Sequence, residues 1–312
     1  MVGMSKTKWR SVDGIVLLNK PIGLSSNQAL QRVRRLYRAA KAGHTGALDP
    51  LATGMLPLCL GEATKFSQFL LDADKRYLTC IQLGKRTTTG DREGDVLTDE
   101  PVPSLTEDEL ESVLDRFRGD IEQIPPMYSA LKHEGKPLYE YARKGIVIER
   151  KRRQVTISDL TLVSRTEDSL TLDIQCSKGT YIRTIGEDIG EALGCGAHLK
   201  SLHRISTAGY APEGMLTLEE FEAIAEQGEA ALDAHLMPMD SAVDYLHRIE
   251  LPTHDTKDML FGRTVSSPIP LEEGRLLRLY DQDSQDFLGL GKIKETNIRP
   301  HRLLNTSESA NK

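Results

Sequence analysis

The 312-residue chain has only four cysteines, Cys59, Cys80, Cys176 and Cys195, and no two of them form a C-x-x-C pair. That excludes a zinc ribbon and a dithiol redox motif, and the four read as small apolar residues in a reducing compartment. Long hydrophobic runs are missing too. No stretch approaches the roughly 20 apolar residues of a membrane span, and the start, MVGMSKTKWR, lacks the apolar core of a secretion signal. The expected location is the cytoplasm, with no membrane contact. Nothing matches a P-loop or a dinucleotide fingerprint, so no nucleotide cofactor is expected. No second His, Cys or acid stands at ligand spacing from His44, so no metal is expected either.

A local absence says more. Between Gly14 and Leu48 there is no Asp or Glu, yet there are six cations: Lys20, Arg32, Arg34, Arg35, Arg38 and Lys41. A second basic block, Lys132 to Arg153, holds eight Lys or Arg against three Glu and ends in Arg150, Lys151, Arg152 and Arg153. The acid sits elsewhere: residues 91–122 carry twelve acidic residues against three basic, and residues 211–258 twelve against two. The net charge of −6 therefore does not exclude a polyanionic partner, because a phosphate backbone responds to the local field. With 39% hydrophobic and 28% charged residues the composition is globular, and the length predicts two domains.

The segment GIVLLNK at 14–20 reads as a short buried strand. KPIGLSS then turns into a helix that Ser25 or Ser26 can cap, with Ala29, Val33, Leu36 and Ala40 on one face and the arginines on the other. MLPLCLG predicts a strand, ATKFSQFLLDA a helix and YLTCIQLG another strand. Capping boxes at Thr106 with Glu109 and at Thr217 with Glu220 open two acidic helices. QVTISDLTLV and LTLDIQCS alternate as strands do, and YIRTIGEDIGEAL sets Ile182, Ile185, Ile189 and Leu193 on one helical stripe. Without a regular βαβ repeat, this pattern predicts an α+β fold: a mixed, largely antiparallel sheet flanked by helices.

Residues 124–153 mix prolines, tyrosines and cations without a period and read as an irregular insertion. MPMDSAVDYLHRIELP reads as a helix and a linker. Behind it, the short runs GRLLRLYD, FLGLGKI and RPHRLL predict a small β-rich unit, and the closing NTSESANK is expected to be disordered. The expected domains are residues 1–245, including the insertion, and residues 246–312.

Residues 43–66, GHTGALDPLATGMLPLCLGEATKF, hold a single Asp, Asp49, in a loop rich in Gly and Pro. Gly43, Gly46 and Gly54 permit backbone angles that a Cβ forbids, and Pro50 fixes φ directly after the acid, so the carboxylate is expected in one orientation. By itself, an Asp before Pro reads equally as a turn cap. The whole string, however, closely resembles the catalytic motif of the TruB-type pseudouridine synthases. The resemblance runs through most of the chain ahead of the small β-rich unit. It is carried by Lys20–Pro21, the Asp49 string, Tyr77 in DKRYLTC and KGTYIRT at 178–184.

The resemblance implies the pseudouridine synthase fold and a C-terminal PUA-like domain. It implies a cofactor-free enzyme that isomerises uridine at position 55, in the T-loop of tRNA, to pseudouridine. The partner is then the T-arm stem-loop, with no obligate protein partner. It further implies Asp49 as the catalytic acid, Arg183 as its ion-pair partner, and Tyr77 stacked on the uracil and able to accept the C5 proton. Tyr181 and Leu202 line the active site, and Lys20 with Pro21 supports the loop. The target base must leave the stack; His44 fills the gap, while Asp91 and the insertion through Arg150, Lys151, Arg152 and Arg153 contact flipped nucleotides or the stem.

Asp49 can attack C1' covalently, stabilise an electron-poor sugar, or remove the C2' proton; the residues do not choose. Its ordinary pKa near ~3.9 makes it an anion that burial would oppose. A guanidinium beside it, charged even when buried and able to hold both oxygens, answers that need. Three rival readings stand beside this one: a guide-RNA-dependent synthase with the same core motifs, a non-catalytic tRNA-folding or RNA-binding protein, and a glycoside hydrolase. The last needs a second acid, for which the Asp49 string offers only Glu62.

Overall fold

In the computed structural model, which describes residues 9–305 apart from Leu271, the apolar run Gly14–Lys20 (β1) is a strand buried on both faces. Val16 and Leu18 pack with Ala29 and Val33 of the helix Ser26–Tyr37 (α1). Ile15 and Leu17 join Met55, Phe66 and Leu70 on the other face. Ser25 caps α1 in a capping box with Gln28, and Arg38, in the left-handed region at φ 52°, ends it. Ala29 and Val33 are buried as expected, and so are Leu30 and Tyr37, while Ala40 lies exposed beyond the helix end.

Along the chain follow Ala42–His44 (β2), Thr53–Leu60 (β3), Lys75–Leu83 (β4), the acidic helix Glu107–Asp115 (α2), Gly119–Gln123 (β5), Arg153–Arg165 (β6) and Ser169–Cys176 (β7). Ile182–Ala192 (α3), Ala197–Thr207 (β8) and Leu218–Glu226 (α4) complete this part. The eight strands form one sheet in the order β1-β3-β8-β4-β7-β6-β5, with β2 on the side of β3. Every pairing is antiparallel except β3 with β8, which meet in parallel at Thr53 with His203 and Gly54 with Arg204. The architecture is α+β, mixed and largely antiparallel. Both predicted capping boxes are formed, at Thr106 and at Thr217.

A second sheet has five strands: His247–Leu251 (β9), Val265–Ser266 (β10), Leu276–Asp281 (β11), Phe287–Lys294 (β12) and Asn297–Leu303 (β13), in the order β9-β11-β12-β13-β10. It rests against the first part through the Phe66 and Phe287 rings, 5.4 Å apart, and a hydrogen bond from Lys65 Nζ to the Leu303 carbonyl at 2.8 Å.

Three expectations change. The predicted helix ATKFSQFLLDA is a 3-10 turn, Gly61–Phe66, followed by the short helix Ser67–Asp72. The helix and linker expected in MPMDSAVDYLHRIELP are a 3-10 turn, Met239–Val243, and strand β9. Ile249 and Leu251 alternate into the core, as a strand requires. The insertion is mostly irregular, but it holds a small hairpin, Lys132–His133 with Lys136–Pro137, and the turn of helix Leu138–Ala142. The disorder expected of NTSESANK falls, from Thr306 on, outside the described residues. Among the described residues no helix is long and apolar enough to cross a membrane.

The register draws a row of side chains across the sheet. Lys20 pairs with Gly54, Gly54 with Arg204, Arg204 with Tyr77 and Tyr77 with Ile174. At the crossing, Gly54 has φ +96°, and a Cβ there would lie 2.3 Å from the Arg204 carbonyl oxygen. The close β3–β8 approach therefore requires glycine. Gly54→Ala is expected to destabilise the fold by about 2 kcal/mol or more, read as a melting midpoint about 5 °C lower. An unchanged midpoint would show that the crossing tolerates a side chain.

Candidate active site

The loop bearing Asp49 is held from both sides. The buried Ser26 hydroxyl accepts from Leu48 N–H at 2.7 Å and donates to the Leu48 carbonyl at 3.1 Å. On the far side of the acid, the Pro50 carbonyl accepts from Gly23 N–H at 2.8 Å, and Ala52 N–H closes a turn onto the Asp49 carbonyl at 3.0 Å. Lys20, fully buried, donates Nζ to the carbonyls of Pro21 and Leu24 at 2.9 and 2.6 Å. It thereby shapes the turn that carries Gly23 and the helix cap. Burial lowers the Lys20 pKa to about 8, with the Asp49 charge opposing.

Across the cleft, Arg183 stands in the first turn of α3 and is 5% exposed. Its Nη2 lies 3.0 Å from Asp49 Oδ2 and also donates to the Tyr128 carbonyl at 2.6 Å. Nη1 donates to the Thr89 carbonyl at 2.8 Å, and Nε lies 3.8 Å from Asp91 Oδ2. The guanidinium is thus immobilised before it meets the acid. The α3 start is itself fixed, because Gln123 donates to the Tyr181 carbonyl and accepts from Tyr181 N–H, at 3.3 and 3.1 Å.

The Asp49 side chain keeps 42% of its surface open to the cleft. It nevertheless sits deep enough that burial is the largest influence and raises its pKa; Arg183 pulls it down and the Asp91 charge pushes it up again. The acid stands between two cavities. The smaller, about 280 Å³, is lined by Tyr77, Leu202, Tyr181, Ile182, Lys75 and Arg204. The larger, about 520 Å³, opens past His44, Asp91, Tyr128, Tyr139 and Arg143. Asp49, Arg183 and Ser129 line both.

Each expected site residue can now be placed. Asp49, Arg183, Tyr77, Tyr181 and Leu202 surround the smaller cavity, and Lys20 lies beneath the loop. His44, half-buried at the end of β2, lines the larger cavity, and its Nδ1 has no hydrogen-bond partner. Burial lowers its pKa, favouring the neutral ring. Asp91, expected against flipped nucleotides or the stem, is 4% exposed, sits behind Arg183 and lines the larger cavity; its Oδ1 accepts from Thr89 Oγ1 at 2.6 Å and Glu93 N–H at 3.0 Å. The terminal basic run is divided. Lys151 and Arg152 face solvent, whereas Arg150 and Arg153 are half-buried, because the chain there enters strand β6, which is paired on both sides.

Sequence reasoning missed Ser26 as a loop anchor, Gln123, Lys75 and Arg204. Lys75 is 8% exposed and donates Nζ to the Leu71 carbonyl at 2.7 Å and to that of Ala73. A usable signal existed for two of them. Lys75 stands two residues before Tyr77 and Arg204 two after Leu202, so each cation falls in the inward phase of its strand.

Comparisons with known proteins identify the family and the fold. Residues 34–182 match the model described as TruB family pseudouridylate synthase (N terminal domain). Residues 183–244 match the tRNA pseudouridylate synthase B C-terminal domain, and 248–304 match Pseudouridine synthase II TruB, C-terminal. A protein named tRNA pseudouridine synthase B from Marinomonas sp. (strain MWYL1) is 81% identical over 305 residues, covering 98% of this chain and 99% of the relative. Its namesake from Sodalis glossinidius (strain morsitans) is 52% identical over 97% of this chain and 98% of its own. Among solved structures, an H/ACA RNP bound to a substrate RNA containing 2'-deoxyuridine has a chain of the same fold, with a TM-score of 0.72 at 21% identity. The match covers 95% of this chain and 86% of that one.

The opposed influences on Asp49 give a signed test. With aspartate carboxyl carbons labelled for NMR, the Asp49 resonance should titrate above the ordinary carboxylate range. Asp91→Asn should move that titration to lower pH and Arg183→Met to higher pH. Shifts of the same sign in both variants would show that the two side chains do not act on Asp49 through charge.

Proposed function

This chain belongs to the TruB family of pseudouridylate synthases, and on that premise we propose that it isomerises the T-loop uridine of tRNA, position 55, with Asp49 as the reacting carboxylate. The coarser activity follows from the family and its named relatives: the protein is an enzyme that converts uridine in tRNA to pseudouridine. The observation that carries the finer reading is the 3.0 Å Asp49–Arg183 pair at the junction of the two cavities.

The reaction breaks C1'–N1, turns the uracil and joins C5 to C1'. The smaller cavity receives the base, with the Tyr77 ring against its face and Leu202 and Tyr181 along its edges. The larger cavity admits the backbone of the extruded nucleotide, with His44 facing the vacated stack. Base extrusion costs a few kcal/mol, which the contacts around the nucleotide offset. Arg183 keeps Asp49 ionised against the desolvation that a bound nucleoside would increase, and so holds a carboxylate ready at C1' or C2'. The solvent-facing Lys151 and Arg152 grip phosphates of the T-arm stem. Residues 1–245 form the catalytic domain and 246–312 a PUA-like domain, and the enzyme works in the cytoplasm.

A guide-RNA-dependent reading is not favoured, since the relatives at 81% and 52% identity are named as tRNA enzymes. Incubating the protein with a T-arm stem-loop RNA, then mapping the modified nucleotide, tests the assignment of position. Asp49→Asn should abolish turnover and leave RNA binding within about threefold; retained turnover would remove Asp49 from the chemistry. For the basic edge, replacing Lys151 and Arg152 with Gln should reduce the slope of log affinity against log salt by about 1.5 units if both meet phosphate. An unchanged slope would take this edge out of the RNA interface.

A further inference from the structure

Arg204 is 1% exposed, and among the described residues no carboxylate lies within ion-pair distance of it. A buried cation without a counter-ion is unfavourable unless its donors are otherwise satisfied. Here they are met by the loop that carries Asp49. Nε donates to the Met55 carbonyl at 2.6 Å and Nη2 to the Gly46 carbonyl at 3.0 Å. The two carbonyls lie on opposite sides of Asp49 in the chain, so one guanidinium spans the loop. Gly46 passes so close that a Cβ on it would stand 3.3 Å from Nη1.

The same side chain lies beside Tyr77. Arg204 and Tyr77 are directly opposed in the β8–β4 register and line the same cavity, so both project from one face of the sheet. Resting on the reading of Tyr77 as the group that meets the uracil, we propose that Arg204 is a positioning residue that couples the Asp49 loop to Tyr77 and stabilises the Tyr77 phenolate that takes the C5 proton. Once C5 is bonded to C1', the C5–H bond breaks and its electron pair restores the conjugation of the ring. The proton passes to the Tyr77 oxygen and from there to N1, so the tyrosine ends in the state in which it began. To accept that proton the oxygen must be a phenolate, which burial disfavours. Burial indeed raises the Tyr77 pKa, and the foremost influence opposing it is Arg204.

The test uses T-arm stem-loop RNA carrying either ordinary or 5-deuterated uridine, under single turnover. Arg204→Met should slow pseudouridine formation at least tenfold and enlarge the deuterium isotope effect above that of the parent enzyme. RNA affinity should stay within about threefold. Arg204→Lys, which keeps the charge, should bring the isotope effect back towards the parent value; if the Met variant does not fold, Arg204→Gln takes its place beside Lys. Slowed turnover with an unaltered isotope effect in both variants would reduce Arg204 to a structural clamp and overturn the proposal. Tyr77→Phe separates the two layers. If it changes neither the rate nor the isotope effect, the reading of Tyr77 fails; if it changes both while the Arg204 variants leave the isotope effect alone, only the role of Arg204 fails.

Discussion

The Asp49–Arg183 ion pair is the interaction around which the site is arranged. On the reading of Asp49 as the reacting carboxylate, it must remain an anion in a cleft that a nucleoside fills and dries, and dehydration favours the neutral acid. The fold answers by fixing the cation first. Arg183 spends two donors on the carbonyls of Thr89 and Tyr128, from segments far apart in the chain, before it reaches Asp49. Asp91 on its other side makes the three-group cluster net negative, which pushes the Asp49 pKa up. The Tyr128 contact also brings the first residues of the basic insertion onto the pair. The basic insertion and the Asp49 loop therefore share a side chain.

Arg183 is not the only cation treated in this way. Lys20, Lys75 and Arg204 are all buried near the site, and each gives its hydrogen bonds to backbone carbonyls. Carbonyls satisfy donors without cancelling charge, so the positive field survives inside the cleft. A carboxylate beside these groups is easier to keep ionised, and a polyanionic substrate is drawn toward it. The same field acts against neighbouring cations: burial and then the Arg204 charge lower the pKa of Lys75 to about 8 and shift that of His44 down.

What could be read in the sequence was whatever is continuous along the chain. The Asp49 string is contiguous, and its glycines, proline and acid describe one loop. The capping boxes and the stripe of Ile182, Ile185 and Ile189 are equally local, and they appear where expected. Lys75 and Arg204 showed only the inward phase of their strands, and Gln123 gave no signal, because what each of them holds depends on which strands are neighbours. Arg204 meets Gly54 on one side and Tyr77 on the other only because β8 is inserted between β3 and β4. The place of Asp91 beside Arg183 was hidden for a related reason. Its acid lies in a stretch rich in exposed charge, and only the bridge between Asp91 and Leu199 tucks it behind Arg183.

Counting charge along the chain also overstated one surface. Of the six cations between Gly14 and Leu48, Lys20 is buried, Arg34 donates to the carbonyls of Ala39 and Ala40, and Arg38 pairs with Glu229 at 2.8 Å. That leaves Arg32, Arg35 and Lys41 facing solvent. In the insertion, by contrast, Lys132, Lys136, Arg143, Lys144, Lys151 and Arg152 are all exposed, and of these only Arg152 pairs with an acid, Glu122 at 3.4 Å. An exposed pair at that distance is screened and weak, so it does little to withhold Arg152 from a phosphate. The positive field outside the cleft therefore comes mainly from the insertion. The first residues of that insertion touch Arg183 and line both cavities, so this field is continuous with the surroundings of the acid.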